Sequence, residues 1–412
     1  MLRGSSFAFG VGLQVLLSVA AVGVPTGAAE TLPAPTALRA VARDGEVLLA
    51  WDAVAGAESY VVSRATTPGG PYAVSAEAVT TTYHTVIKLD NDVAHYFVVS
   101  ARNAGGEGVH SSEVRAMPFR LWPEGDEWPF TYRTQVGGQH AFFHLWLPPH
   151  TAVVKGLFVF TYHGCSGLFG ERADMRYLAA SLDCAIVGLG GETVRRGFTP
   201  SQIMFDALGD LARQSGHAEI ANAPIFTFGH SNGTGFSAGF TGQEPERVIG
   251  WIAFKSANGS QFSLPPIYTV PGLVLSGERD KEYFNNQLET VERLRQESDA
   301  LMNMIVEPGA GHGPNGDKSY PICMAFMRTI FRLRVPADAD PRQGPVKLIA
   351  LKSNSGWLGR NWDKAVGGGQ SLPAAPYAEF DGDRNRASWL PTADYARCWQ
   401  EFSKTGTLNV WW

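Results

Sequence analysis

The sequence predicts an α/β protein in which a mostly parallel sheet carries helices on both faces and is preceded by an all-β sandwich. Three observations predict it. From about residue 130 to 335, short apolar runs alternate with amphipathic stretches, so each buried strand is followed by a helix that packs back onto the sheet. Between 31 and 118 the runs are shorter, alternate apolar with polar residues, and are separated by Gly- and Pro-containing turns. The chain of 412 residues also exceeds what one hydrophobic core comfortably serves, so more than one domain is expected.

The elements follow in order. Met1-Leu2-Arg3, an apolar stretch over 7–24 and small residues at Gly27 and Ala29 read as a secretory signal peptide over 1–29, cleaved before Glu30. Gln14, the glycines and Pro25 argue against an uncleaved span. The sandwich occupies 31–118. In its strands Val47, Leu49 and Trp51 share one face, as do Tyr60 and Val62, and then Tyr96, Val98 and Ser100. Pro68-Gly69-Gly70-Pro71 and Asn103-Ala104-Gly105-Gly106 supply turns.

The α/β core occupies 119–335. Runs at 132–136 and 140–147 pair around Gly137-Gly138, and buried strands are expected at 156–162, 184–188, 224–228, 248–254, 271–277 and 302–306. Helices are expected over 202–212 and through Leu288, Val291 and Leu294. A C-terminal extension, 336–412, holds six of the 11 tryptophans (Trp357, Trp362, Trp389, Trp399, Trp411 and Trp412). It is expected to pack onto the core, since each buried ring contributes about 2 kcal/mol.

The net charge of −5 recruits neither nucleic acid nor an anionic membrane, and after signal cleavage no membrane association is expected. Four cysteines in an exported chain allow up to two disulfides, in three full pairings. Cys165 and Cys184 fall at opposite ends of adjacent strands, whereas a Cys323–Cys398 bridge would tie the last core helix to the extension. No Cys/His spacing suggests zinc, so neither metal nor cofactor is expected, and the chain is read as a monomer.

Chemistry concentrates at Gly229-His230-Ser231-Asn232-Gly233, which follows the apolar run Pro224-Ile225-Phe226-Thr227-Phe228. A serine on such a strand-to-helix turn has its hydroxyl exposed. Downstream, Gly277-Glu278-Arg279-Asp280 places carboxylates just past a strand, and Gly309-Ala310-Gly311-His312-Gly313 places a histidine after the next strand. A serine hydroxyl is a poor nucleophile until a histidine takes its proton, and a carboxylate must hold that histidine's tautomer. Ser231, His312 and Asp280 fit those roles, with Glu278 the competing acid. The backbone N–H of Asn232 and that of Cys165, in His163-Gly164-Cys165-Ser166-Gly167 after the 156–162 strand, are the expected oxyanion donors. His163 is expected to brace that loop.

Taken together, His163-Gly164-Cys165, Gly229-His230-Ser231-Asn232-Gly233, Gly277-Glu278-Arg279-Asp280 and Gly311-His312 resemble the motifs of α/β-hydrolases. Within that group they are similar to secreted esterases of the polyhydroxybutyrate-depolymerase and feruloyl/acetyl-xylan-esterase type. The 31–118 segment resembles a fibronectin type III module, with Trp51, Tyr60, Leu89, Tyr96 and Asn103-Ala104-Gly105-Gly106-Glu107-Gly108 at the positions that family favours. Such a module carries no chemistry of its own and implies a spacer, stabiliser or docking surface. Too few residues separate Ser231 from Asp280 for a lid domain, which suits a bulky or polymeric ester. The resemblance implies acetyl or feruloyl esters of plant polysaccharide, with a polyester or polyhydroxyalkanoate as the alternative; a peptidase or thioesterase uses the same triad. A non-catalytic binding protein on the same scaffold is the rival of another class.

Overall fold

Eight short strands build the first part of the chain, as seen in a computed structural model that describes residues 31–121, 128–161, 169–191, 201–256 and 266–408, with backbone alone for 281–284. They are β1 (Arg39–Arg43), β2 (Glu46–Ala50), β3 (Ser59–Ala65), β4 (Ala73–Val79), β5 (Tyr83–Ile87), β6 (His95–Asn103), β7 (Gly106–His110) and β8 (Val114–Ala116). One sheet has the order β1-β2-β5; the other runs β4-β3-β6-β7, with β8 also on β6. Val47, Leu49, Trp51, Tyr60 and Val62 meet between the sheets, and the Trp51 and Tyr60 rings pack edge-on at 5.3 Å. The expected signal peptide, 1–29, lies outside the described residues.

One strand has the opposite phase to the expectation. In β6 the residues facing the sandwich core are Phe97, Val99 and Ala101, not Tyr96, Val98 and Ser100. Pairing explains it, because β3 and β6 run antiparallel with Tyr60 opposite Ala101 and Val62 opposite Val99, and directly opposed residues share a face. As a central strand β6 is buried on both faces, so Val98 and Ser100 are also inaccessible and alternation does not reveal the phase.

The second part alternates strand and helix: β9 (Phe130–Val136), β10 (Gln139–Trp146), β11 (Gly156–Thr161), α1 (Ala173–Ala180), β12 (Cys184–Gly191), α2 (Ser201–Ser215), β13 (Ile225–His230), α3 (Thr234–Gln243), β14 (Val248–Phe254), β15 (Gly272–Gly277), α4 (Lys281–Ser298), β16 (Met302–Glu307) and α5 (Tyr320–Arg334). The strands form one mixed eight-stranded sheet ordered β16-β15-β14-β13-β11-β12-β10-β9. β11 to β16 are parallel, while β10 is antiparallel to both neighbours. Helices cover both faces, so β13, β14, β15 and β16 are buried at every position. Phe226, Phe228, Ile252 and Phe254 enter one core, while Ile225, Trp251 and Ala253 enter the other.

The C-terminal extension forms β17 (Trp357–Gly359), β18 (Ala374–Pro376), β19 (Ser388–Leu390) and α6 (Ala393–Thr405). It covers β16, the edge of the large sheet. Ser388 Oγ accepts the Met304 N–H at 3.0 Å, Trp399 Nε1–H donates to the Met304 carbonyl at 3.0 Å, and the Tyr395 hydroxyl donates to Asn303 Oδ1 at 3.0 Å. An edge strand is thereby denied to other chains. Trp389 and Trp399 are fully buried with the core residues; Trp411 and Trp412 lie outside the described residues.

No disulfide joins α5 to this extension: Cys184, Cys323 and Cys398 are free thiols. Cys323 is buried beside Glu307 and Lys255, with its thiol directed at the Ser319 carbonyl, whereas Cys398 sits beside Glu401 and Arg328. Aromatic packing and hydrogen bonds to β16 provide the tie instead. Burial pushes both thiols up, Cys398 to about 11, so neither is a ready thiolate at neutral pH.

The sandwich rests on α1. The Asp44 N–H donates to the Tyr177 hydroxyl at 3.1 Å, the Arg43 guanidinium lies 5.7 Å from the Tyr177 ring centre, and Phe119 packs edge-on against the same ring. His150 meets Asp92 at 2.8 Å. Removing residues 31–118 uncovers Tyr177 and Phe119 and is expected to lower the Tm of the remainder by about 5 °C, since about 2 kcal/mol of hydrogen bonding and burial is lost. Calorimetry of both chains checks this, and an unchanged Tm would mean that the contact contributes no stability. Among the described residues, no helix is long and apolar enough to cross a membrane.

Candidate active site

β13 ends in a turn that leaves little freedom for substitution. Ser231 has a φ of 52°, in the left-handed region, which costs a non-glycine residue about 1–3 kcal/mol. The turn from Ser231 to Gly233 is a single 3₁₀ turn leading into α3. A β-carbon on Gly233 would stand 2.7 Å from the Thr161 carbonyl oxygen, and one on Gly229 would stand 2.4 Å from that of Gly233. Both contacts are with backbone, so neither position admits a side chain without opening the turn. Thr161 Oγ1–H donates to the Gly233 carbonyl at 2.9 Å and pins the turn to β11.

Two other strands deliver the remaining groups. Ser231 Oγ lies 2.9 Å from His312 Nε2, and His312 Nδ1 lies 2.6 Å from Asp280 Oδ2. A carboxylate only accepts, so Nδ1 carries the proton and Nε2 is left as acceptor for the serine hydroxyl. The Asp280 side chain is 9% exposed and that of His312 37%, which shields the carboxylate and leaves the imidazole open on one side. All three residues sit at or just beyond the carboxyl ends of strands β13, β15 and β16, where ligands bind in open α/β sheets.

Glu278 is turned elsewhere. Its carboxylate accepts the Gly309 N–H at 2.8 Å and also the Gly368 N–H, from the C-terminal extension. The Arg279 N–H donates to the Ala310 carbonyl at 2.8 Å, so the acid-bearing turn and the histidine-bearing loop are joined along their backbones. Of the two carboxylates near this turn, Asp280 is the one against the imidazole.

Asn232 directly follows Ser231 within the 3₁₀ turn. Cys165 and His163 lie outside the described residues. His230, to which the sequence pattern assigns no role, is buried beneath the site: its Nε2 is 3.3 Å from the His312 carbonyl, and its ring packs on Phe169 and Phe254. Its only signal in the sequence is its place between Gly229 and Ser231, where any side chain directed into the core would serve. Among the described residues, no three His, Cys, Asp or Glu side chains gather as a metal site would require. The arrangement can move a proton from a hydroxyl to an imidazole held by a carboxylate.

No protein-family model matches the chain. It is similar to an amylopullulanase of Thermoanaerobacter thermohydrosulfuricus, with 39% identity over 95 residues, 23% of this chain and 6% of that protein. The chain thus spans a small fraction of the length of the curated relative it matches. Among solved structures it is similar to an Fn3-like protein from Clostridium thermocellum, at 34% identity and a TM-score of 0.21, covering 23% of this chain and 100% of the other. It is also similar to a dienelactone hydrolase from Anabaena variabilis ATCC 29413, at 17% identity and a TM-score of 0.34, covering 49% of this chain and 96% of the other.

Proposed function

We propose that the chain is an exported serine carboxylic-ester hydrolase of the α/β-hydrolase type, acting as a monomer without metal or cofactor. The observation that carries this reading is the continuous run of contacts from Asp280 through His312 to Ser231. His312 takes the Ser231 proton as Oγ attacks the ester carbonyl, and the backbone N–H groups of Asn232 and Cys165 receive the oxyanion. His312 then protonates the departing alcohol, and a water activated by the same imidazole hydrolyses the acyl-enzyme. Asp280 holds the imidazole in the tautomer that both steps need.

The substrate class is acetyl or feruloyl esters of plant polysaccharide. Support comes from the partial exposure of the His312 side chain, from the β-sandwich, and from the similarity of part of the chain to an amylopullulanase. A polyester or polyhydroxyalkanoate is the second reading, since the same partly exposed His312 serves either ester.

A fluorophosphonate probe should label Ser231 stoichiometrically in the folded protein. Turnover is expected with p-nitrophenyl acetate and with methyl ferulate or acetylated xylan, and none with a peptide amide. Polyhydroxybutyrate cleavage without turnover of the plant esters would select the second reading. A folded chain that is neither labelled nor active would be a binding protein on a hydrolase scaffold.

A further inference from the structure

Two charges are buried beneath the site in places the proposed reaction does not use. Lys255 is the first residue after β14 and Glu307 the last of β16. Both side chains are 0% exposed, and Lys255 Nζ lies 2.8 Å from Glu307 Oε2. Desolvation pushes the ammonium below its usual range, while the carboxylates of Glu307 and Asp280 act in the opposite direction. Lys255 also has a φ of 48°, a second left-handed non-glycine residue beside the site. A buried ion pair in a strained backbone is a poor route to stability, since an apolar pair of similar volume commonly does as well or better.

The position of the pair suggests what it does instead. Ser319 Oγ lies 2.9 and 2.8 Å from the two carboxylate oxygens of Glu307, to which it donates, and it accepts the Asn315 N–H at 2.8 Å. Glu307 ends β16 and Ser319 immediately precedes α5, so the residues between them, 308–318, are the loop that carries His312. Four glycines in that loop leave it little stiffness of its own. A carboxylate at one end bonded to a hydroxyl at the other closes the neck. Lys255, reaching across from β14, neutralises the carboxylate where water cannot.

We propose that Lys255, Glu307 and Ser319 are positioning residues that close the neck of the 308–318 loop and so hold His312 between Ser231 and Asp280. This rests on the reading of His312 as the base. A displacement of about 1 Å at a reacting group can cost on the order of 100-fold in rate, so loosening the neck acts on turnover rather than on binding.

Ser319→Ala removes the hydroxyl and little volume. With p-nitrophenyl acetate, kcat is expected to fall about 10- to 100-fold with KM within about twofold. The low-field proton resonance of the His312 Nδ1–H against Asp280 should broaden or vanish at temperatures where the chain is fully folded. Asn315→Pro deletes the N–H that Ser319 Oγ accepts while leaving the Ser319 hydroxyl in place, and should shift both readouts in the same direction, which keeps the test open if Ser319→Ala does not fold. Unchanged kcat and an unchanged low-field proton in the folded variants would overturn the clasp, as would a loss of rate that only follows the unfolded fraction. If Ser231→Ala stays active on the same ester, the underlying reading fails; if it is inactive while the clasp variants are fully active, only the clasp fails.

Discussion

Ser231→Ala is expected to abolish ester hydrolysis, with kcat falling by about 10⁴-fold or more, while Tm stays within about 3 °C of the parent. The rate loss follows from the contact at 2.9 Å between Ser231 Oγ and His312 Nε2: without the oxygen there is no nucleophile, and the imidazole has no proton to accept. The small stability change follows from what alanine keeps. Its β-carbon holds the same left-handed conformation as Ser231, and the missing hydrogen bond is worth about 1 kcal/mol net on a partly open side of the site. Burst titration of the parent and steady-state assay of the variant make the measurement. Retention of more than about a tenth of the activity would remove Ser231 from its role, because catalysis by the remaining groups alone cannot approach that level.

How far such a site can be read from sequence depends on whether each feature is local. β14 was legible at both ends, 248 and 254, because a fully buried strand is an unbroken apolar run. The glycines that begin at 188 predict an end to β12 there, yet the strand continues to Gly191. There Gly191 lies opposite Ala141 of β10, and a β-carbon on it would stand 2.1 Å from the His140 carbonyl oxygen. The glycine marks a close backbone approach rather than a break. The order Ser231, Asp280, His312 was legible because each residue follows its own strand. Lys255 and Glu307 were not, since their pairing requires knowing that β14 and β16 flank the same strand, β15. The absent Cys323–Cys398 bridge belongs with these: thiol spacing says nothing about which way two helices present their cysteines.

The second large effect separates two carboxylates that stand two positions apart. Asp280→Asn is expected to lower kcat by about 10⁴-fold, whereas Glu278→Gln should cost less than about tenfold, with both chains folded. An amide at 280 presents either an N–H or a carbonyl to His312 Nδ1, and an N–H there forces the proton onto Nε2, where it can no longer accept from Ser231. Glu278 has different work. Its oxygens take the N–H groups of Gly309 and Gly368, so a glutamine keeps one acceptor and turns an amide N–H toward a second donor, which loosens the joint between the C-terminal extension and the histidine loop. That loss should register as a lower Tm and a small drop in rate. Assays of the two variants side by side on one soluble ester give the ratio, and a Glu278→Gln enzyme slower than Asp280→Asn would exchange their roles. Glu278 is held by Gly309 and by a distant segment of the same chain, and Asp280 is the carboxylate that lies against the imidazole. Gly368, 90 residues from Glu278 in sequence, holds the carboxylate that does not lie against His312 Nδ1.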